Sequence, residues 1–430
     1  MRRFLVSLWE LIIVVCICYG QDDCHSLPMS KEDSIGAWNA VKKAHQMTDL
    51  PIYPVSTLYA HKTYQSGVEE KGLIYSSTKE INTSVGQDIS FYTFMTALHN
   101  PRSLLYTERI DSSPYHGKNC RAYYGTVCSG LVTYALGFKI TQRSADIPVA
   151  DYMELVKNQD ATGVRVADVL WKKGHVMLVT AVEREAKGGI GKIEYCESVG
   201  NGCRRCVLED GMAFNQMLKK RNLKIYRYKY LFKNTSYVPI NEFVAVEGET
   251  KLPFVYNEDI CTSKGDKACY INGEIVVLNV AKGFKNVEIY KNKALYKTIR
   301  LGKVFDVSVP DLPYGDYQAR AVNGKKKSDY VRWKVIDVNV KIDSDNNKIY
   351  FSSANATPVY YEFSDISGNR PTNKNRLYAA EFSDFDRKNG YVRVKAPRKP
   401  NSKERCYTYV KVHFESDYGM VINKPINWFE

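Results

Sequence analysis

Short strands separated by turns fill the sequence after about residue 236, and they most constrain its fold. Apolar and polar residues alternate in these runs, a pattern typical of strands buried on one face. The runs are EIVVLNV, KNVEIYKN, VFDVSV, DYQARAV and VRWKVIDV before residue 338, then NKIYFSS, TPVYYEFS, GYVRVKA and CYTYVKVHFES. Many short strands at such spacing predict two β-sandwich modules in tandem, spanning residues 236–337 and 338–430.

Residues 21–235 combine helical and strand patterns. SKEDSIGAWNAVKKAHQM predicts a helix capped by Ser30, DISFYTFMTALHN predicts a second from Asp88, and a third contains Cys128 and ends at Gly137. VRVADVLWKKGHVMLVTAVERE and GKIEYCESV then predict three strands, with a hairpin turn in AKGGIG. GMAFNQMLKKRNLKIYRYKYLF predicts a closing helix and a basic strand. Helices followed by a meander of strands predict an α+β domain.

The first 20 residues have the pattern of a secretory signal peptide. An Arg-Arg pair precedes the apolar run LIIVVCIC, and Gly20 suits cleavage before Gln21. A lipoprotein is the less favoured alternative, because Val15 and Ile17 stand where a small residue would precede a lipidated cysteine. No other apolar run approaches the roughly 20 residues that span a bilayer. The mature protein is therefore expected to be secreted or periplasmic, without membrane association.

The net charge of +14 is divided evenly between the two sides of residue 236. A nucleic-acid interface concentrates positive charge on one patch, so the even distribution argues against a nucleic-acid partner. It is compatible with weak attraction to an anionic surface such as a cell wall.

Two of the eleven cysteines lie in the predicted signal, which leaves an odd number. Export permits disulfides, so CRRC (Cys203 and Cys206) is interpreted as a structural disulfide rather than a redox motif, and a bridge is predicted between Cys261 and Cys269. An odd number leaves at least one thiol free or paired between chains. Cys196 could join CRRC in a zinc site, but no histidine is close in sequence. No metal site and no cofactor are therefore predicted.

Cys128 begins the predicted helix CSGLVTYALG and is the candidate nucleophile. The N-terminal N–H groups of a helix stabilise a thiolate and can also form an oxyanion hole, with a side chain such as Ser129 nearby. Nucleophilic catalysis also needs a base, and His175 opens a strand where its ring can face a cleft. The alternatives are a disulfide-bonded Cys128 and a strand-edge histidine bonded to water.

The group that orients His175 is expected across the hairpin. With the turn centred near Ala186, His175 lies opposite Glu197, since the strands keep a constant register. Glu194, Ser198 and Asn201 remain alternatives if the register differs.

The motifs VCSGLV, ADVLW and GHVMLVTAV, in that order, resemble the NlpC/P60 group of papain-like cysteine peptidases over about residues 70–235. The resemblance implies a papain-like fold with Cys128 as nucleophile and His175 as base. A polar residue on the next strand, here Glu197, would orient the base, as in the related CHAP amidases. It also implies that the tyrosine of GLIYSS, Tyr75, supports the oxyanion, with Tyr123 or Tyr124 as alternatives.

The complete expectation is a signal peptide over 1–20, a papain-like α+β hydrolase domain over 21–235, and the two immunoglobulin-like or SH3-like sandwich modules. By resemblance the substrate is a peptide of peptidoglycan or another cell-wall peptide. A non-catalytic surface protein that binds glycans is the alternative, and so is a CHAP-like amidase or acyltransferase. Val127 replaces the aspartate that precedes the cysteine in many members of the group.

Overall fold

The computed structural model describes residues 29–76, 84–106, 124–138, 141–185, 189–235, 257–302, 305–343, 348–364, 391–393, 409–415 and 420–425. They form two compact units. Unit 1 takes the described residues of 1–52, 69–75 and 126–241, and unit 2 takes those of 53–68, 76–125 and 242–430. The predicted signal peptide and its cleavage site lie outside the described residues, as do Tyr123, Cys24, Cys120 and Cys406.

Four α-helices are described: α1 (Lys31–Thr48), α2 (Phe91–Leu98), α3 (Cys128–Ala135) and α4 (Gly211–Arg221). The predicted cap of α1 is confirmed, since the Asp33 N–H donates to the Ser30 hydroxyl at 3.0 Å. The stop of α3 is confirmed as well, because Gly137 has a φ of 84°, which glycine adopts without strain. The start of α2 was predicted three residues early. Ser90 is its N-cap and accepts from the Thr93 N–H.

The strands before residue 257 are β1 (Pro51–Ile52), β2 (Leu58–Tyr59), β3 (Thr63–Tyr64), β4 (Glu70–Lys71), β5 (Met153–Leu155), β6 (Val169–Lys172), β7 (His175–Arg184), β8 (Ile190–Val199), β9 (Gly202–Leu208) and β10 (Lys224–Tyr228). Short 3-10 helices lie at Leu104–Tyr106, Ile147–Val149 and Leu231–Lys233.

Unit 1 is built on one antiparallel sheet of six strands in the order β5-β10-β6-β7-β8-β9. Phe214 and Leu218 of α4 belong to a buried cluster with Met177, Val179 and Ile193 of the sheet. Side chains alternate along a strand, so Val176 and Leu178 point to the opposite face. Helices α1 and α3 contact β7 and β8. Unit 1 is therefore an α+β unit, and α3 brings Cys128 to the central strands.

Unit 2 contains α2, the hairpin β2-β3 and the remaining strands. These are β11 (Ile260–Thr262), β12 (Ala268–Ile271), β13 (Val276–Val280), β14 (Asn286–Lys291), β15 (Ala294–Arg300), β16 (Asp306–Val309), β17 (Gly315–Asn323), β18 (Lys326–Lys327), β19 (Val331–Ile336), β20 (Asn339–Asp343), β21 (Lys348–Ser352), β22 (Thr357–Ser364), β23 (Tyr391–Arg393), β24 (Tyr409–Glu415) and β25 (Met420–Pro425).

A β-sandwich is the main body of unit 2. Its two sheets run β11-β13-β16 and β12-β19-β17-β14-β15, with β18 paired to β17. Tyr270, Leu278, Val287 and Trp333 lie in the shared core. Two three-stranded antiparallel sheets follow, β20-β21-β23 and β22-β24-β25. The predicted all-β character of this half of the chain is confirmed, and every alternating run quoted above contains a strand.

The first domain was predicted to run without interruption from 21 to 235, whereas residues 53–68 and 76–125 group with unit 2. Hydrogen bonds of α2 account for this grouping. The Tyr92 hydroxyl donates to the Asp266 carboxylate at 2.9 Å, and the Asp266 N–H donates to Thr96 at 2.9 Å. The sequence of α2 is near Cys128, but its partners lie 170 or more residues later.

The predicted bridge within CRRC is wrong for the described chain, because Cys203 and Cys206 are free thiols. CRRC lies in β9, where residues three apart point to opposite faces, so the two sulfur atoms cannot meet. The predicted Cys261–Cys269 bridge is wrong as well, since Cys261 is a free thiol. Cys261 lies on β11 and Cys269 on β12, in different sheets of the sandwich.

No helix in the described part of the chain is long and apolar enough to cross a membrane.

Candidate active site

Cys128 is the first residue of α3, and its side chain is buried and reduced. Val127 occupies the N-cap in extended conformation and supplies no side-chain cap. The first N–H groups of α3 therefore have no capping side chain, which is the arrangement that stabilises negative charge at a helix start. Ser129 follows within the same first turn and is also buried.

His175, at the start of β7, lies between Cys128 and Glu197. Its Nε2 is 2.8 Å from Oε2 of Glu197, and the Cys128 side chain is close enough to the ring to raise its pKa. Since Nε2 is used by the carboxylate, Nδ1 is the nitrogen left for the sulfur. Burial disfavours a charged ring, but the interactions with Cys128 and Glu197 outweigh it and raise the pKa of His175 to about 9.

Glu197 is fully buried, yet both of its oxygens accept charge-assisted hydrogen bonds. Oε1 accepts from Arg204 Nη2 at 2.7 Å and Nε at 3.1 Å, and Oε2 accepts from Arg221 Nη2 at 3.0 Å as well as from His175. Burial alone would raise the pKa of this carboxyl, but the three cationic partners hold it well below its usual range. Glu197 is therefore an anion that cannot rotate without breaking several bonds.

Arg204 and Arg221 were not predicted as site residues. Arg204 pairs with Glu197 across β8 and β9, and Arg221 is in the last turn of α4. Strand alternation in CRRC could have revealed Arg204, but that segment was interpreted as a disulfide. Arg221 is one of several basic residues in LKKRNLK, and nothing local distinguishes it.

The hairpin register differs from the predicted one. Leu178 pairs with Cys196, and Glu185 N–H bonds to the Gly189 carbonyl, so the turn is centred one residue later than expected. Extended along the strand, this register places His175 opposite Val199. A shift of two residues keeps the same face of the strand, so Glu197 is a diagonal neighbour of His175.

The alternatives to Glu197 have other partners. Glu194 Oε1 lies 2.7 Å from His45 Nε2, and the Ser198 hydroxyl donates to the Thr126 carbonyl at 3.1 Å. Asn201 is exposed in the turn between β8 and β9. Of these residues, the structure brings Glu197 to His175.

The two tyrosines predicted to assist the oxyanion are placed differently. The backbone of Tyr75 forms an isolated parallel β-bridge with Thr126, two residues before the nucleophile. Burial and the charge of Cys128 raise the pKa of its phenol. Tyr75 therefore lies near the sulfur. Tyr124 belongs to unit 2, where its hydroxyl donates to the carbonyl of Lys264 at 3.0 Å.

Two other thiols of unit 1 are poor nucleophiles at neutral pH. Burial raises the pKa of Cys196 and of Cys203 to about 12 in each case. Among the thiols of the described chain, Cys128 is the one whose charge raises the pKa of an imidazole held by a carboxylate, His175 beside Glu197.

Comparisons with known proteins give no family for this chain. No family model matches it, and no curated protein matches it. Solved structures similar to it include fibronectin(III)-like modules of Clostridium thermocellum CbhA, with 11% identity and a TM-score of 0.18 over 38% of this chain and 90% of that one. The CD2-binding domain of CD58 has 10% identity and a TM-score of 0.17 over 37% and 96%. Domains 3 and 4 of rat CD4 have 10% identity and a TM-score of 0.21 over 37% and 98%. Similarity at this level carries no argument about activity.

Proposed function

We propose that unit 1 is a papain-like cysteine hydrolase that cleaves amide bonds through Cys128, His175 and Glu197. One observation carries the proposal: the His175 ring is held by Glu197 at 2.8 Å and lies close enough to the Cys128 thiol for the two groups to interact electrostatically. A nucleophile beside a base that is itself oriented by an acid is the requirement for nucleophilic acyl transfer.

The chemistry follows from these contacts. Cys128 attacks the amide carbonyl as a thiolate while His175 is protonated, and the N–H groups at the start of α3 stabilise the oxyanion, with Tyr75 beside the sulfur. His175 then donates its proton to the leaving amine, which gives a thioester. Water, deprotonated by the neutral ring, then attacks the thioester; the acid product leaves, and the thiolate and protonated His175 are restored. Glu197 keeps the ring oriented throughout.

The resemblance to the NlpC/P60 group gives the substrate class, a cell-wall peptide such as the stem of peptidoglycan, met after export. The backbone conformation at one residue of unit 1 supports the resemblance, though not the substrate class. The group's pattern includes G-D-[LV], and this chain departs from it with Ala167 in place of the glycine. Ala167 nevertheless has a φ of 68°, in the left-handed region that favours glycine. Glutamate rather than histidine as the orienting residue also suits a CHAP-like amidase, and an acyltransferase would use the same thioester.

A second candidate function rests on unit 2. Its β-sandwich and the sheets that follow favour a binding role at a cell surface, and with an inactive unit 1 the whole protein would be an adhesive, glycan-binding protein. Both candidates predict binding to wall material, so turnover is the property that separates them.

The test uses the full chain with purified peptidoglycan and soluble stem peptides, and detects products by mass spectrometry. We expect new cleavage products from the native protein and none from Cys128→Ser, while Cys203→Ser, which changes another buried thiol of unit 1, retains activity. Peptide mapping after brief iodoacetamide treatment near neutral pH should find Cys128 modified first. Cleavage that persists in Cys128→Ser, or a native disulfide at Cys128, contradicts the proposal.

A further inference from the structure

A second polar cluster of unit 1 lies apart from the candidate active site. It consists of His45 in the last turn of α1 and of Glu194 and Cys196 on β8. One ligand atom from each residue lies within 4.8 Å of the other two. His45 and Cys196 are 151 residues apart in the sequence, so no local motif predicts the cluster, and the histidine near Cys196 in space is not near it in the sequence.

Alternation along β8 separates the two sites. Glu197 points to the face shared with Arg204 and α4, whereas Glu194 and Cys196 point to the face contacted by α1. None of the three cluster residues takes part in the proposed hydrolysis. The thiol of Cys196 is fully buried, while the side chains of His45 and Glu194 are 29% and 18% exposed. An ion from solvent can therefore reach the imidazole and the carboxylate, with the sulfur behind them.

We propose that His45, Glu194 and Cys196 form a binding site for a borderline transition-metal ion of the Zn²⁺ type. Imidazole, carboxylate and thiolate are the three ligand types that Zn²⁺ takes in proteins, and a sulfur ligand disfavours Mg²⁺ and Ca²⁺. The cysteine proton leaves to solvent on binding, so thiolate and carboxylate together neutralise the dication. Three protein ligands leave a fourth position of the tetrahedron for water.

Binding the ion requires the ligand atoms to shift from their present positions, which lie within 4.8 Å of one another. Metal–ligand bonds of about 2.0–2.3 Å hold tetrahedral ligand atoms roughly 3.3–3.6 Å apart. His45 Nε2 and Glu194 Oε1 are 2.7 Å apart, so they must separate by roughly 0.6–0.9 Å to admit the ion. The Thr180 hydroxyl donates to the same Oε1 at 2.7 Å and accepts weakly from Cys196 at 3.8 Å, which fixes the orientation of both ligands.

Arg205 lies near the cluster, and its charge opposes the ion. Its Nη1 lies 3.7 Å from Oε2 of Glu194, the oxygen that does not contact His45, and its guanidinium is also paired with Asp49. The arginine charge is thus shared with a second carboxylate, and Oε1 remains directed at His45. A bound ion would fasten the end of α1 to β8.

The test adds Co²⁺ to chelator-treated full-length protein and follows the thiolate-to-cobalt charge-transfer absorption, with Zn²⁺ as the displacing ion. We expect one equivalent of Co²⁺ to bind to the native chain and the band to be lost in Cys196→Ser. It should persist in Cys128→Ser and in Cys203→Ser, a matched buried thiol. His45→Gln, at a partly exposed position, should bind at least about tenfold more weakly, which also covers the case in which Cys196→Ser does not fold.

Zn²⁺ should raise the melting temperature of the native protein and of Cys128→Ser, but not that of His45→Gln. Absence of the band at about millimolar Co²⁺ would overturn the proposal and leave a hydrogen-bonded polar cluster. A band lost in Cys128→Ser but kept in Cys196→Ser would overturn it too, since the ion would then be at the active-site thiol. Hydrolysis has no part in either readout, so this site and the proposed activity can fail independently.

Discussion

Replacement of Glu197 by glutamine removes the charge that favours the imidazolium form of His175. The carboxylate is fully buried, and its Oε2 lies 2.8 Å from Nε2 of the ring. Glutamine keeps the shape of the side chain and one acceptor oxygen, but presents an N–H₂ group where the second acceptor was. The perturbation is therefore electrostatic rather than a change in packing volume.

The magnitude follows from the pKa of His175, which lies at about 9 instead of the ordinary 6.5. Since one pKa unit is 1.36 kcal/mol, this shift is about 3 kcal/mol in favour of the charged ring. The substitution removes the part of this pKa shift that is due to Glu197, but burial still disfavours the charged ring. Arg204 and Arg221 also remain, now without their carboxylate, and both repel an imidazolium. We expect the pKa of His175 to fall by at least about 1.5 units, or about 2 kcal/mol.

The assay is an NMR titration of protein labelled with ¹⁵N-histidine, in which His175→Gln identifies the resonance. The native midpoint should lie at about 9, and that of Glu197→Gln below about 7.5. Glu183→Gln, an exposed carboxylate on the same hairpin, is the matched control and should leave the midpoint unchanged.

Stability gives a second readout. A raised pKa in the folded state adds stability that is complete below the unfolded value of 6.5 and is lost as the pH rises through about 9. The native melting temperature should therefore fall more steeply between these two pH values than that of Glu197→Gln. An unchanged His175 midpoint in a folded Glu197→Gln protein would refute the assigned role of the carboxylate.

Three further predictions concern the surroundings of the site. Arg221→Met should lower kcat about tenfold, with little change in KM, and should lower the melting temperature, because Glu197 loses one of its charge-assisted hydrogen bonds. Lys219→Met, on the exposed side of α4, is the matched control. A chain ended at residue 235 should bind a hydrophobic dye strongly, because the buried apolar side chains of α2 lose the residues they pack against. Burial of each such side chain contributes about 1.5–3 kcal/mol to stability. Dye binding equal to that of the full chain would contradict this prediction. The native protein should cleave a stem tetrapeptide and its N-acetylated form at equal kcat/KM, and Val127→Asp should favour the free amine by about tenfold or more, since a charge-assisted hydrogen bond contributes ~1.5–3 kcal/mol. A preference of the native protein for the free amine would mean that another carboxylate holds it.

Local signals in the sequence were sufficient for the elements that carry Cys128 and His175. A Ser cap, a glycine stop and alternating runs each act within a few residues, and α1, α3, β7 and β8 were predicted from them. The register of β7 and β8 was missed by two residues because it depends on where the turn closes and on bulges near Ala181 and Arg184. Glu197 was nonetheless identified, because an even shift preserves the face of the strand.

Partners distant in sequence could not be predicted in this way. The grouping of α2 with unit 2 depends on Asp266, and the cluster around Cys196 depends on His45. In both cases the deciding contact is made by tertiary packing, and neither residue belongs to a pattern that reaches its partner. Cysteine counting failed for a related reason. It treats Cys203 and Cys206 as neighbours, whereas the strand they share directs them to opposite faces.

Strand β8 carries one glutamate of each cluster, and the alternation of its side chains explains how two carboxylates so close in sequence are kept apart. Glu197 and Glu194 are three residues apart, so alternation directs them to opposite faces, and each is neutralised by cations of its own face. Adjacent residues of β9 supply one arginine to each, Arg204 to Glu197 and Arg205 to Glu194. The CRRC sequence can therefore be explained without a disulfide, because two adjacent arginines on a strand place one guanidinium on each face of the sheet. It follows that exchanging either arginine for methionine should affect one site and spare the other: Arg204→Met should shift the titration of His175, and Arg205→Met should leave it unchanged while altering Co²⁺ binding at Cys196.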